Sequence, residues 1–279
     1  MLRALRVHTN DLASSILFGR DALGLSLSGA PVPLTATLSE GACCALSLYA
    51  GGGGEAGSGG SGGGVPAVGL GYPFLTYGVS NLRTSARHAR RHGGVGLGEV
   101  GAGEALFSLP GARPGRLGGG GVRLLHAFRR NPAISVTLGV GDPGAAAQFF
   151  CAALGMRVLE GEEAALACPR PARGALVLVG PTEEPHNTTS LVLEASGCPG
   201  ARAAEELPQG GKEAGFAGME EAGEEGGEAT LVLSLPDTAR ALRVCRELGL
   251  PTTAPSARGS FLAILSDGGY SLYCTPSAQ

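Results

Sequence analysis

Four times along this chain a strand-like run is followed by a capping residue, a helical stretch and a glycine. That recurrence limits the fold more than any other feature of the sequence. The clearest copy is AISVTLGVGDPGAAAQFFCAALGMRVLE, residues 133–160. Ile134, Val136, Leu138 and Val140 alternate with Ser135, Thr137, Gly139 and Gly141, the period of two expected of a strand with one buried face. Asp142 is placed to cap a helix, and Pro143 follows at the first helical position, where a missing N–H costs nothing. Ala146, Phe149, Phe150, Ala153 and Leu154 recur at helical spacing, and Gly155 supplies a stop that tolerates positive φ.

The opening segment has the same plan. Leu5 and Val7 alternate with Arg6 and His8, Asp11 takes the cap, Ser15, Phe18, Ala22 and Leu23 form the stripe, and Gly24 ends it. Asp11 to Gly24 and Asp142 to Gly155 both span 13 positions, so a shift of 131 superposes the two copies. Fainter copies carry Leu75, Tyr77 and Val79 before Ser80 or Asn81, and Leu231, Leu233 and Leu235 before Asp237. Short strand-like runs follow each helix: 34–38 and 44–49; 104–109 and 122–128; 157–160, 164–168 and 175–179; 261–265 and 270–274. Each unit reads βαβββ, an α+β plan. A unit of this size cannot close its own sheet, so adjacent units are expected to pair. Two domains follow, residues 1–130 and 131–279, joined around Arg129 to Pro132.

Two segments interrupt this plan. GGGGEAGSGGSGGG, 51–64, reads as flexible chain lengthening a loop of the first domain. In the second domain, 195–229 carries eight glutamates against Lys212 and Arg202 with little to bury, and reads as a disordered acidic insertion.

With 43% hydrophobic residues the chain can build a core, and a net charge of −3 gives no field to attract nucleic acid. Seven cysteines without a C-x-x-C pair suit a reduced interior, and Cys151 and Cys245 fall on helices as small core residues. No run is apolar enough throughout to read as a membrane-spanning helix. With Met1 as the start, the first strand begins so close behind it that no leader is expected. The expected location is the cytoplasm.

Most motifs read as ordinary structure. Gly96, Gly98 and Gly101 form a G-x-G-x-x-G, but it follows a helix and precedes a strand, the reverse of dinucleotide-binding order. Gly211-Lys212 lacks the rest of a phosphate loop, and the sequon at Asn187 is irrelevant without secretion. His88 and His92 have the i, i+4 spacing of zinc ligands, but position 89 is alanine where a zinc protease needs glutamate. Beside Arg83, Arg87, Arg90 and Arg91 they read as a solvated basic face.

The tandem βαβββ units, with D-x-x-x-x-x-x-F in the helix and LG closing it, resemble the glyoxalase, or vicinal-oxygen-chelate, superfamily. FGRDALGL, LTYGVSNLRTSARH, ISVTLGVGD, FFCAALGM, ALACPRPARGALVLVG and SDGGYSLYC carry the likeness over nearly the whole chain, outside the two interruptions. The resemblance implies four βαβββ modules curled into two half-barrel domains. In active members a divalent metal held by His, Gln or Glu polarises two adjacent substrate oxygens while a carboxylate moves a proton.

The usual first-strand ligand stands seven residues before the cap, which here gives Ala4, Phe74, Ser135 and Thr230. The last-strand glutamate maps near Leu46, Leu125, Val177 and Leu272; His126, one step from Leu125, points to the other face. None is a strong donor, so the family metal site reads as lost in both domains and no cofactor is expected. Arg6 and His8 share a face with Ala4 and could receive a small carboxylate or phosphate ester. Thr76, Ser135, Thr137, Thr230 and Ser234 complete a candidate polar lining.

Three functions are consistent with these residues. The first is a metal-independent protein that binds a small anionic metabolite or acts as a scaffold. The second is a metal-dependent lyase or isomerase acting on glutathione adducts of 2-oxoaldehydes, with ligands elsewhere. The third is an interaction module that docks a protein partner through the acidic insertion. Neither nucleic acid nor a membrane is an expected partner.

Overall fold

The computed structural model describes residues 2–28, 35–39, 44–50, 73–96, 103–111, 121–169, 171–181, 183–195, 229–265 and 270–277. The loop at 51–64 and all but the ends of the acidic insertion lie outside these residues.

The first unit contains β1 (Leu2–Thr9), α1 (Leu12–Leu23), β2 (Ser26–Leu27), β3 (Thr35–Ser39) and β4 (Ala45–Ala50). The second contains β5 (Phe74–Val79), α2 (Leu82–Arg91), β6 (Glu104–Ser108) and β7 (Gly121–His126). The third contains β8 (Ala133–Val140), α3 (Pro143–Leu154), β9 (Arg157–Leu159), α4 (Gly161–Ala167), β10 (Leu176–Val179) and β11 (Ser190–Ala195). The fourth contains β12 (Ala229–Leu235), α5 (Thr238–Glu247), β13 (Phe261–Leu265) and β14 (Tyr270–Pro276). In units two and four, single bridges, Gly96 to Phe107 and Thr252 to Ala263, stand where the other units have a short second strand.

The repeated signal works locally as its chemistry requires. Asp11 accepts from the Ser14 N–H at 2.9 Å, Asn81 from Thr84 at 3.0 Å and Asp237 from Arg240 at 2.8 Å, each satisfying a helical donor that has no partner in its own helix. Asp142 accepts from both Gly144 and Ala145. Gly24 and Gly155 end their helices in the left-handed conformation, at φ of 75° and 67°.

The strands form two seven-stranded mixed sheets. Sheet A runs β13-β14-β12-β1-β4-β3-β2, and sheet B runs β6-β7-β5-β8-β11-β10-β9. This corrects the expected pairing: the first unit shares a sheet with the fourth, through antiparallel β1 and β12, and the second with the third, through β5 and β8. A division at 130/131 would cut sheet B between β5 and β8. The reason is chain length. Only residues 127–132 separate β7 from β8, so units two and three stay in one sheet. The long connections 51–73 and 196–228 are the ones that pass between sheets.

Two further corrections concern the third unit. The run 164–168, read as a strand, belongs to α4. The last strand is β11 rather than 175–179, which is β10.

Helices α1, α2, α3 and α5 pack on strands of their own units and meet in pairs across the sheets, α1 with α2 and α3 with α5. One continuous core joins them, from Leu5, Val7 and Phe18 through Tyr77 and Phe107 to Phe150, Leu233 and Leu272. A second, smaller core of Leu159, Ala167, Cys168, Val177, Val179 and Val192 lies elsewhere. In β10 and β11, Leu178, Leu191 and Leu193 belong to the large core while their neighbours Val177, Val179 and Val192 belong to the small one. Since neighbours along a strand point to opposite faces, α4 covers the face of sheet B turned away from the other helices.

Candidate functional site

Each sheet has one face against the large core and one turned away from it, and the two outward faces differ. On sheet A, Leu5, Leu46, Leu231 and Leu272 are mutual register partners and all lie in the core. The residues between them therefore share the outward face. Register places Thr37 beside Ser47, Ser47 beside Arg6, Arg6 beside Thr230 and Thr230 beside Ser271. Five polar side chains thus stand in one row across β3, β4, β1, β12 and β14, roughly 19 Å long at the usual strand spacing.

Arg6 stands in the middle of that row. It is exposed and, among the described residues, has neither a hydrogen-bond partner nor a carboxylate. Thr37 Oγ1 and Ser47 Oγ lie 3.5 Å apart on one side. On the other, Thr230 is buried, and Ser271 is 1% exposed with its hydroxyl unpaired. A buried hydroxyl without a partner is costly, and a ligand oxygen would remove that cost. Above and below the row, Ala4, Ala45, Tyr49, Val232, Ser234, Tyr273 and Thr275 continue the face by register. His8 is in register with Tyr49; its side chain is outside the described part of the structure.

Sheet B is closed by α4. Thr76 and Ser135 are register partners, Ser135 pairs with Ser190, and Thr137 pairs with Phe74 and Val192. All are buried. Ser135 Oγ meets Cys168 Sγ at 3.7 Å, just beyond the end of α4, and burial pushes the Cys168 thiol up. Arg129 donates to the Ala167 carbonyl oxygen at 3.1 Å, holding the end of α4 in place. Arg123 pairs with Glu104 across β6 and β7 at 2.7 Å. Thr76 Oγ1 is buried without a partner.

The candidate lining therefore divides between the two sheets. Arg6, Thr230 and Ser234 come together on sheet A, although they lie in opposite halves of the sequence. Thr76, Ser135 and Thr137 lie under α4 on sheet B. Ser47, Ser271, Tyr49 and Tyr273 were missed, although the alternation in ALSLY and YSLYC already separates them from the leucines beside them. Assigning Leu46 and Leu272 as last-strand ligand positions is the matching error: both face the core. Val177 is on the penultimate strand, and the residues of β11 on the outward face are Ser190, Val192 and Glu194. Phe74, Leu125 and Ala4 hold no donor atoms.

Among the described side chains, the outward faces do not fit a family-type divalent metal. Among its described side chains, sheet A offers hydroxyls, which are weak ligands, around the positively charged Arg6 guanidinium. On sheet B the same region is filled by Cys168, Val177, Val179 and Val192.

Neither a family model nor a curated protein sequence matches the chain. Solved structures do match in fold. Glyoxalase I from Zea mays superposes with a TM-score of 0.62 at 18% identity, covering 99% of this chain and 92% of that one. A mutant of the same maize enzyme gives 0.61 at 17%, covering 99% and 93%. A candidate dioxygenase from Bacillus subtilis gives 0.50 at 10%, covering 100% and 85%. The architecture is that of tandem vicinal-oxygen-chelate half-barrels.

Proposed function

We propose that the protein binds a small anionic metabolite on the outward face of sheet A, with Arg6 as the charged anchor, and that it is a vicinal-oxygen-chelate protein of the glyoxalase domain-containing protein 4 kind. The observation that carries this reading is the position of Arg6, an exposed guanidinium without a carboxylate partner among the described residues, centred in a row of hydroxyls. A guanidinium donates in a fork that matches carboxylate or phosphate oxygens, and flanking hydroxyls can donate to the remaining lone pairs. The fold supplies two such faces, and only sheet A presents one that α4 does not cover. Binding here needs no metal. We place the protein in the cytoplasm on the same reading.

The test is thermal stabilisation by a panel of dicarboxylates, 2-oxoacids and phosphate monoesters, run on the chain and on Arg6→Gln. Arg6 is exposed, so the variant should fold with the stability of the parent within about 0.5 kcal/mol. The expected result is that one class of anion raises the midpoint of the parent and loses that effect in Arg6→Gln, while Arg240→Gln on α5 behaves like the parent. Stabilisation that survives in Arg6→Gln, or its absence across the whole panel, overturns the reading.

A further inference from the structure

Where α1 from sheet A meets α2 from sheet B, three potential ligands converge. Asp21 lies in the last turns of α1. His88 lies on α2 and His92, one turn on, caps its C-terminal end, with rings 6.5 Å between centroids and 9° from parallel. One ligand atom from each of the three lies within 4.8 Å of the others, and all three side chains are partly buried. The spacing of the two histidines was visible in the sequence. What the sequence could not show is that α1 brings a carboxylate to them, so the pair is not simply part of a solvated basic face.

The approach is fixed by packing. A Cβ at Gly94, two residues beyond His92, would lie 2.7 Å from Phe18 Cε2, so the chain after α2 lies flush against α1 one turn before Asp21. Arg20 Nε donates to Asp21 Oδ1 at 2.7 Å and its Nη2 reaches Oδ2 at 3.4 Å, so Oδ2 lies between Arg20 and the histidines. Asp21 Oδ2 lies 2.7 Å from His92 Nε2. Yet His92 Nε2 is buried without a properly aligned hydrogen bond. Close but misaligned polar atoms are the arrangement expected of ligands that point at a common centre rather than at one another.

We infer that Asp21, His88 and His92 form a binding site for a divalent ion of the zinc class. Two imidazole nitrogens and one carboxylate oxygen suit zinc, with water completing a tetrahedron. Ligand atoms around zinc stand about 3.3 Å apart at bond lengths of about 2.0–2.2 Å, so the 2.7 Å pair must open by roughly half an ångström, within the reach of a rotamer adjustment. The ion would tie α1 to α2 and hence sheet A to sheet B. Among the described residues no comparable cluster occurs at the other helix pair, α3 with α5. This site is on the helical side of the molecule and is independent of Arg6.

The test uses the untagged full chain, stripped with chelator and then titrated with zinc chloride. The expected result is one zinc per chain by elemental analysis, with a rise in thermal midpoint of about 4–5 °C when zinc exceeds its dissociation constant a hundredfold. Cobalt in place of zinc should give visible absorption of a tetrahedral nitrogen–oxygen site. Asp21→Asn, His88→Gln and His92→Gln should each lose the stoichiometry and the shift, and Arg6→Gln should keep both. His88→Gln is a partly exposed helix position and decides the matter if His92→Gln fails to fold. Absence of bound zinc in the parent overturns the assignment. So does His88→Gln with unchanged stoichiometry, as expected if His92 and Asp21 are only an ion pair, or loss of zinc in Arg6→Gln.

Discussion

Tyr270 joins the two half-barrels through one hydroxyl, and removing that oxygen should be expensive. Tyr270 begins β14 in sheet A and is 3% exposed. Its hydroxyl accepts from the Gly139 N–H at 3.0 Å and donates to the Gly139 carbonyl at 3.0 Å, in β8 of sheet B. The β5–β8 ladder reaches only to the Phe74–Thr137 rung, so at Gly139 the tyrosine takes over the role of a missing strand. Tyr270→Phe preserves the ring and its packing but leaves both backbone groups unpaired in a buried place. Each such group costs about 1–3 kcal/mol, and allowing for partial relaxation the pair should cost about 2–3 kcal/mol. For a chain of this size that is about 3–5 °C in thermal midpoint. Urea titration should show a lower midpoint with an unchanged slope. Tyr273→Phe, on the half-buried outward face of the same strand, should change stability by less than about 0.5 kcal/mol. A Tyr270→Phe variant within about 1 °C of the parent would refute the idea that this hydroxyl carries the sheet-to-sheet contact.

Thr76→Val should leave stability unchanged or raise it by about 1 kcal/mol, because the valine keeps the shape and removes a buried hydroxyl with no partner; a clear loss by denaturant titration would mean that the oxygen is bonded. The thiols of Cys245 and Cys274 are both fully buried, and desolvation pushes them up to about 11 and about 12 from an ordinary 9.0. A raised thiol value in the folded state means that stability is level below about pH 9 and falls as pH rises toward 11, where the unfolded chain gives up protons the folded chain keeps. The measurement is the urea midpoint against pH, with Cys245→Ala and Cys274→Ala together expected to flatten the decline; an unaltered decline in that double variant would place its origin elsewhere.

What could be read from the sequence was set by local physics. Asp11, Asn81, Asp142 and Asp237 cap helices because a short acceptor must follow the strand at that point, and Gly24 and Gly155 end them because positive φ is needed. Strand alternation likewise placed Arg6 on the opposite face from Leu5 and Val7. Long-range partnership was not legible. Nothing local in β1 distinguishes β12 from β5 as its neighbour, since the first strands of all four units carry the same alternating leucines and valines. The pairing is decided by which connections are long enough to cross between sheets. Helix α4 escaped notice because seven residues, Gly161 to Ala167, are too few for a helical period to separate from an apolar run. The meeting of Asp21 with His88 was hidden for the same reason as the sheet pairing: it depends on how two units dock.

The contrast between the two outward faces has an energetic side that bears on function. Under α4, Leu159, Val177, Val179 and Val192 are buried on a face that would otherwise meet water. Each such side chain contributes about 1.5–3 kcal/mol of hydrophobic stabilisation, before the cost of ordering the chain that covers it. The face of sheet A gains nothing comparable: Arg6 is solvated, Ser47 and Tyr49 are half-buried, and Ser271 buries a hydroxyl at a net cost. A row of polar groups that contributes little to folding is poorly explained as architecture, and an exposed guanidinium in its centre needs an anion or water. Of the two outward faces, the one that α4 closes on sheet B therefore contributes more to folding, which leaves the outward face of sheet A as the surface on which substitutions should alter binding more than folding. Arg6→Gln and Thr76→Val, one on each face, separate those two contributions.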